Sequence, residues 1–441
     1  MARTAANIPA GVRLADHISL GVLTTQFPRD VVEQVLFETE RVSERERDLP
    51  AHVMVYFAIA LALYADVATR EVLRCLVEGA RWLGDPVRPR IPTKSAISQA
   101  RSRLGAAPLE ALYRAVVAPV AVAGTPGAWY RDWRVMSLDG TTLDVSDTPA
   151  NAEAFGRPGS GRGVNATGAF PKLRLVALVE NGTHALCGAH LADYHSHEVK
   201  VAAAGVVPAL TGEMLCLADR GFLGFDLFQQ ASATGAALVW RAKVSQGLPV
   251  LGQYDDGSYR SELRWNSHCQ SADRTPIPVR VVVYTLRGST DATVVYRLVT
   301  NILDPARAPA AELAQLYHER WEIETAFDEF KTHLRGGQRV LRSKTPDLVE
   351  QEAWGFLLAH FALRALMHDA ALGALPRARD PDTLSFVHVV RVTRRTLSHL
   401  AAISPSGLSA LASGPPARAP RGDGELQPRS PRAARRQAQD E

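Results

Sequence analysis

The apolar residues of this chain change period at about Trp133, and that change decides what the chain can fold into. Before it they recur at helical spacing, through Val31-Val32-Val35-Leu36 and again through Val53-Phe57-Ile59-Leu61-Leu63, so residues 1 to about 125 read as helical. The charged stretch RVSERERDLP connects the two runs. After the change, WRVMSLDG and TTLDV read as a strand that ends or bends at Asp139-Gly140. KLRLVALVE and THALCGAHL flank Asn181-Gly182, a strong hairpin signal. A helix is expected from about Ser196 to Leu210, then a strand MLCLAD that stops at Asp219, a helix over 224–234, a strand AALVWRAK and β-like segments between 250 and 303. A long helix begins only behind Pro309. This is mixed α/β order with an antiparallel start, unlike the strict alternation of a doubly wound sheet.

With 441 residues, 46% of them hydrophobic, the chain can bury a full core and divide into two or three domains. The division expected is a helical segment over 1–125, a mixed α/β segment over 126–400 that is β-rich at about 244–303, and a tail over 404–441. The tail is rich in Pro, Gly, Ala and Arg and reads as disordered. No segment has the apolar length needed to cross a membrane, and the first twenty residues show no secretory pattern; a cytoplasmic protein is expected. Cys75, Cys187, Cys216 and Cys269 form no CxxC pair, which argues against a zinc site or a disulfide framework. Only six of the fifty basic residues are lysine. Arginine grips phosphate in a bidentate fork, so the composition permits a nucleic-acid partner, although arginine usage also follows genome base composition.

Near the N-terminus, Thr93 can cap a helix that runs to Gly105 and projects Arg101 and Arg103. Such a helix either enters a DNA groove or is an ordinary surface helix.

On a wheel of residues 313–334, Leu316, Ile323, Phe327, Phe330 and Leu334 form a core stripe of about 60°. Tyr317, Arg320, Glu324 and Lys331 share one polar edge beside it. A carboxylate among a phenol, a guanidinium and an ammonium suits metal-assisted phosphoryl transfer; a plain Glu324–Arg320 pair along the helix is the alternative. Asp139 and Asp219 each precede a glycine-bearing turn, in SLDGT and LADRGF. With Glu324 they could form an oxygen cage for magnesium or manganese. Three carboxylates about 4 Å apart would repel by about 4 kcal/mol per pair at an effective dielectric of 20, and a divalent ion would relieve that. His195 and His197 in DYHSHE lack a third ligand and suit helix capping better than zinc. Asp144 and Asp147 are expected in a turn-rich stretch beyond the strand, as loop or cap residues.

These motifs resemble the DDE transposases of the insertion-element-four family. The family signature, Tyr-x2-Arg-x3-Glu-x6-Lys, stands here as Tyr317, Arg320, Glu324 and Lys331 in YHERWEIETAFDEFK. The likeness extends to SLDGTTLDV, LADRGF and SAISQARSRLG, over most of residues 15–400. The resemblance implies a ribonuclease-H-like catalytic fold with a β-rich insertion between the second aspartate and the glutamate. It also implies Asp139, Asp219 and Glu324 as catalytic ligands of two magnesium or manganese ions, and double-stranded DNA as substrate. Transposon ends would be cut, commonly through a hairpin intermediate, and their freed 3′ ends joined to target DNA, with a dimer assembled on the ends. Tyr317, Arg320 and Lys331 would hold phosphate near the cut. Trp321, next to this edge, would stack on an unpaired base or pack beside Tyr317. The rivals are a DNA-binding relic without catalysis and a metal-dependent nuclease without strand transfer.

Overall fold

The computed structural model describes residues 21–45, 49–78, 91–158, 169–265, 274–287, 293–335, 340–373 and 380–396; the proline- and arginine-rich tail lies outside them. Six helices come first: α1 (Gly21–Gln26), α2 (Arg29–Glu38), α3 (Ala51–Leu63), α4 (Thr69–Glu78), α5 (Lys94–Leu104) and α6 (Ala107–Val116). A short β1 (Trp129–Tyr130) and the long β2 (Trp133–Val145) follow, then α7 (Pro149–Phe155), β3 (Lys172–Glu180) and β4 (Ala185–Asp193). Next come α8 (Glu198–Gly205), β5 (Met214–Ala218), α9 (Phe225–Ala233) and β6 (Ala237–Arg241). The insertion supplies β7 (Gly252–Gln253), β8 (Tyr259–Leu263), β9 (Ile277–Arg287) and β10 (Thr293–Thr300). Last come α10 (Ala310–His318), α11 (Glu322–Asp328), β11 (Val340–Leu341), α12 (Pro346–Leu372) and α13 (Phe386–Thr396).

All eleven strands belong to one mixed sheet in the order β4-β3-β2-β5-β6-β10-β9-β8-β7, with β1 and β11 beside β2. The turn at Asn181-Gly182 joins β3 to β4 in antiparallel register, as expected. Gly182 has φ +76°, and a Cβ there would meet the Pro126 carbonyl at 2.4 Å, so two independent constraints demand glycine. The insertion is not a separate β-domain. β10 pairs antiparallel with β6, and β9, β8 and β7 continue outward from it. A buried arginine ties this extension down: Arg280 donates to Asp256, to Ser258 Oγ at 2.7 Å and to the Ala308 carbonyl at 2.7 Å, just before α10.

One face of the sheet packs α8 and α9 against Met136, Leu138, Cys216, Leu238 and Trp240. The opposite face carries α10 over Val135, Leu215, Leu217 and Val239. Farther along that face, α11, α12 and α13 share a core with α2, α3, α5 and α6. The N-terminal helices therefore have no core of their own; the division expected near residue 125 separates segments of sequence that pack together. Their centre is α3, whose residues 53–63 are all buried. An all-round apolar helix needs partners on every side, and α12 is the principal one. Gly355 lets the two backbones meet, since a Cβ there would stand 2.7 Å from the Ala58 carbonyl.

The Thr93 cap is present, its side chain accepting from Ala96 N at 3.2 Å. Arg101, however, turns inward. It is 8% exposed and donates to Gln351 Oε1 at 2.8 Å and Ser343 Oγ at 3.1 Å, while Gln351 returns bonds to the carbonyls of Arg101 and Gly105. A guanidinium so engaged stitches α5 to α12 and does not reach a DNA groove. Arg103 is exposed. Among the described residues no helix is long and apolar enough to cross a membrane.

Gly355→Val should push α3 and α12 apart and lower stability by about 1–3 kcal/mol or more, read as a fall in the urea midpoint at unchanged m-value. An unchanged midpoint would show that the close approach is not required.

Candidate active site

β2 and β5 run parallel, and their last paired positions are Leu138 and Ala218. The next residue on each is an aspartate, so Asp139 and Asp219 stand side by side. The sequence left open an end or a bend at Asp139-Gly140; β2 does not end there and stays paired with β3 beyond that point. On its other side β11 joins only at Asp144 and Val145. Among the described residues no strand lies beside that side of β2 from Asp139 to Leu143, which leaves a notch there. Alternation along a strand places Asp139 and Asp219 on the face where Val135, Leu215 and Leu217 meet α10.

The segment lying over this notch was expected to be a single helix. It is α10, a 3-10 turn at Glu319–Trp321, α11 and a π turn at Glu329–Leu334. Three of the four residues of its polar edge reach the strands below, and the fourth, Glu324, is held by Arg320. Arg320 Nη1 lies 3.3 Å from Asp139 Oδ2 and Nη2 3.4 Å from Glu324 Oε1. The Tyr317 hydroxyl donates to the Ala218 carbonyl at 3.3 Å, and Lys331 Nζ donates to Thr141 Oγ1 at 2.9 Å. Glu324 bonds its helical neighbour Arg320, the pair expected as the alternative, and lies near enough to Asp219 for that charge to raise its pKa. Tyr317 is buried. Its hydroxyl is spent on the backbone before Asp219 and is not offered to phosphate.

Burial pushes Asp139 up to about 6, although the Gly140 amide and Arg320 pull the other way. Burial likewise raises Glu324 against the pull of Arg320 and lowers Lys331. For Arg320 burial works against the charge, yet Tyr317, Asp139, Asp219 and Glu324 together raise its pKa. Asp219 Oδ1 is buried and accepts no hydrogen bond. Such an orphaned carboxylate oxygen, among hard oxygen donors, fits a divalent cation of the magnesium or manganese type. The close three-carboxylate cage expected from sequence is instead held open by Arg320. Among the described residues, the group that brings three potential ligand atoms within 4.8 Å is His184, Glu322 and Asp382.

Trp321 is 56% exposed, with the Arg320 guanidinium 5.7 Å from its ring centre; it faces solvent and does not pack beside Tyr317. Asp144 lies within β2, paired with Lys172 at 2.6 Å, while Asp147 pairs with Arg157. His195 stands against Gly156, where a Cβ would meet its ring, and His197 makes no side-chain cap at α8. Sequence reading missed Arg241, whose Nη1 stands 3.9 Å from Asp219 Oδ1 and whose guanidinium lies 4.3 Å from the Tyr296 ring centre. It also missed Asn181, which accepts from Ser137 Oγ at 2.8 Å and donates to the Glu319 carbonyl at 2.9 Å. The only signal for Arg241 was its place at the end of a strand parallel to β5; the hairpin hid the role of Asn181.

Residues 131–362 match the family model of the transposase DDE domain, and residues 17–114 match that of the insertion element 4 transposase N-terminal region. The match over more than half of the chain places it among the DDE transposases. One relative is the transposase InsG for insertion sequence element IS4 of Escherichia coli (strain K12), 27% identical over 87% of this chain and 84% of its own. The putative transposase InsZ of the same organism is 25% identical over 53% of this chain and 71% of its own. Among solved structures, a cryo-EM structure of the piggyBac transposase synaptic complex with hairpin DNA covers 94% of this chain and 85% of its own. Its sequence identity is 9% and its TM-score 0.44. The chain belongs to the insertion-element-four family of DDE transposases.

A carboxyl whose folded pKa exceeds its unfolded value holds its proton more tightly when folded, so its ionisation costs stability as pH rises from about 4 to 6. In metal-free protein at pH 7.5, Asp139→Asn should therefore raise stability by about 1–3 kcal/mol. Added magnesium or manganese should stabilise the parent but not the variant. A variant less stable than the metal-free parent would show that Asp139 contributes chiefly as the partner of Arg320.

Proposed function

We propose that this transposase binds the terminal inverted repeats of its insertion sequence as double-stranded DNA, cuts them, and joins their 3′ ends to target DNA. The observation that carries this reading is the in-register pair Asp139 and Asp219 beneath Glu324, with Arg320 between. The strand order supports a ribonuclease-H-like catalytic core: an antiparallel β2-β3-β4 meander followed by parallel β5 and β6 on the other side of β2.

Asp139, Asp219 and Glu324 would hold two divalent ions, magnesium or manganese, as membership of the DDE class implies. When bound, such ions lower the pKa of an attacking water or 3′-hydroxyl and neutralise charge on the leaving oxygen. This chain's own residues prepare the place. Tyr317 fixes the turn that presents Asp219, and burial keeps Asp139 poorly solvated and so receptive to a cation. Arg320, now shared between two carboxylates, would be freed were they to hold a cation, and its fork suits phosphate. Lys331, about 10 Å along the axis from Glu324, reaches phosphate a nucleotide or two from the cut. Exposed Trp321 offers a stacking surface for an unpaired base, a contact of about 1–3 kcal/mol. Arg103 carries what remains of the expected N-terminal contact with DNA. Cutting two ends in concert calls for a dimer assembled on them.

Glu324→Gln or Asp219→Asn should abolish metal-dependent cleavage of duplexes carrying the element's own ends while leaving end binding within about twofold. Near-normal cleavage by either would remove that residue from the site. Lys331→Ala should lower the slope of log affinity against log salt by about one and slow cleavage. An unchanged slope with full cleavage would leave Lys331 as no more than a tether to Thr141.

A further inference from the structure

Behind the helix that carries Glu324 lies a second set of charged groups, on the side away from the notch. His184 sits in the β3–β4 turn with φ +54°, a left-handed conformation uncommon outside glycine and asparagine, and is 3% exposed. Its Nε2 bonds Glu322 and its Nδ1 lies against Arg364 Nη2. Arg364, 2% exposed on α12, grips both oxygens of Glu329, with Nε to Oε2 at 2.9 Å. Burial would raise Glu329, but His184, His360 and Arg364 together hold its carboxyl well below the usual range. Asp382 closes the cluster, 3.5 Å from His184 Nε2 and 3.8 Å from Arg364 Nη1.

Three potential ligand atoms so close invite a metal reading, which the hydrogens oppose. A guanidinium offers only donors. If His184 is neutral, Nδ1 receives from Arg364 and Nε2 carries the proton; if the ring is charged, both nitrogens do. In either state Nε2 presents a hydrogen to Glu322 and has no lone pair for a metal. The cation that this acidic cluster needs is built in as Arg364.

Glu322 and Glu329 lie seven residues apart, on one side of the helix. Glu324 and Lys331, each two residues further on, lie about 200° round from them. The cluster therefore grips the back of the segment whose front faces Asp139, Asp219 and Thr141. The same turn grips it once more through Asn181 and the Glu319 carbonyl. Glu329 also opens the π turn, which resets the helical phase of Lys331 relative to Glu324; such turns frequently occur at functional sites.

We propose that His184, Glu322, Glu329 and Arg364 form a clamp of positioning residues that sets the rotation of the catalytic helix and so aims Glu324 and Lys331 into the notch. The proposal rests on the assignment of Glu324 as a metal ligand. Buried ion pairs add little net stability over apolar packing, yet they fix one geometry wherever every partner is satisfied. In a clamp, the cost of loosening it appears as misplaced ligands before it appears as unfolding.

The test is single-turnover cleavage of duplexes carrying the element's inverted repeats, titrated with manganese, by full-length protein. His184→Ala should cut at least tenfold more slowly per folded molecule and need severalfold more manganese for half-maximal rate, with end affinity within twofold. His184→Gln, whose amide can restore the bond to Glu322, should recover most of the rate. A merely structural histidine would lower the melting temperature and leave both rate and manganese requirement unchanged, and that result overturns the proposal. If His184→Ala does not fold, Glu329→Gln, which keeps the shape, must show the same pair of changes, and parental values for it overturn the proposal equally. Parental protein unable to cut its own ends would sink the transposition reading of the site instead.

Discussion

The parallel pairing of β2 with β5 is the constraint on which the site depends. It stops at Leu138 and Ala218, and the next residue on both strands is an aspartate. Sheet geometry separates adjacent strands by about 4.8 Å, so two carboxylates in consecutive register must lie close together whatever the loops do. β11 joins β2 only five residues further on, and among the described residues the helical segment after Pro309 is what reaches over them. The sheet thus brings two acids together and opens the gap through which a third group and a substrate can approach.

Concentrating acids in a partly buried place is unfavourable unless charge is returned. At the front of the helix Arg320 is shared between Asp139 and Glu324, and Arg241 stands near Asp219. At the back Arg364 answers Glu329 and Asp382. The front keeps an orphaned oxygen on Asp219 and a raised Asp139. At the back His184 bonds Glu322 and Arg364 grips Glu329, beside a raised Asp382 and a His360 ring whose nitrogens have no hydrogen-bond partner.

The sequence showed the chemistry more clearly than the geometry. Fixed spacing within one helix is visible in one dimension, so Tyr317, Arg320, Glu324 and Lys331 could be placed on a common edge, and strand periodicity located Asp139 and Asp219. What failed were inferences about direction and partnership. Arg101 looked like a DNA contact because a helix wheel cannot show that Gln351, 250 residues away, will accept its Nε–H. Tyr317 looked like a phosphate ligand because no local pattern reveals that the Ala218 carbonyl lies within reach. Asn181 was read as a hairpin residue and is, while His184, read as part of the following strand, lies in the same turn, and that turn ends against the catalytic helix. Local pattern reports which groups are present; only the long-range pairing of β2 and β5 with the helix reports what each is used for.

The same distinction applies to domains. The change of apolar period drew a line near residue 125 and the resemblance another around the β-rich insertion, yet packing crosses both. α3 is apolar on every side and cannot stand in water alone, so it must lie against α12, which also carries Arg364. Arg101 and Gln351 then join α5 to the same helix. The insertion extends the central sheet from β6 through β10, and Arg280 fastens it to the start of α10. Both segments flanking the catalytic core therefore attach to the elements that hold Glu324. A force on the N-terminal helices or on the insertion, such as docking on DNA would exert, is transmitted through packed helices and buried charge pairs to the one segment whose rotation the site requires.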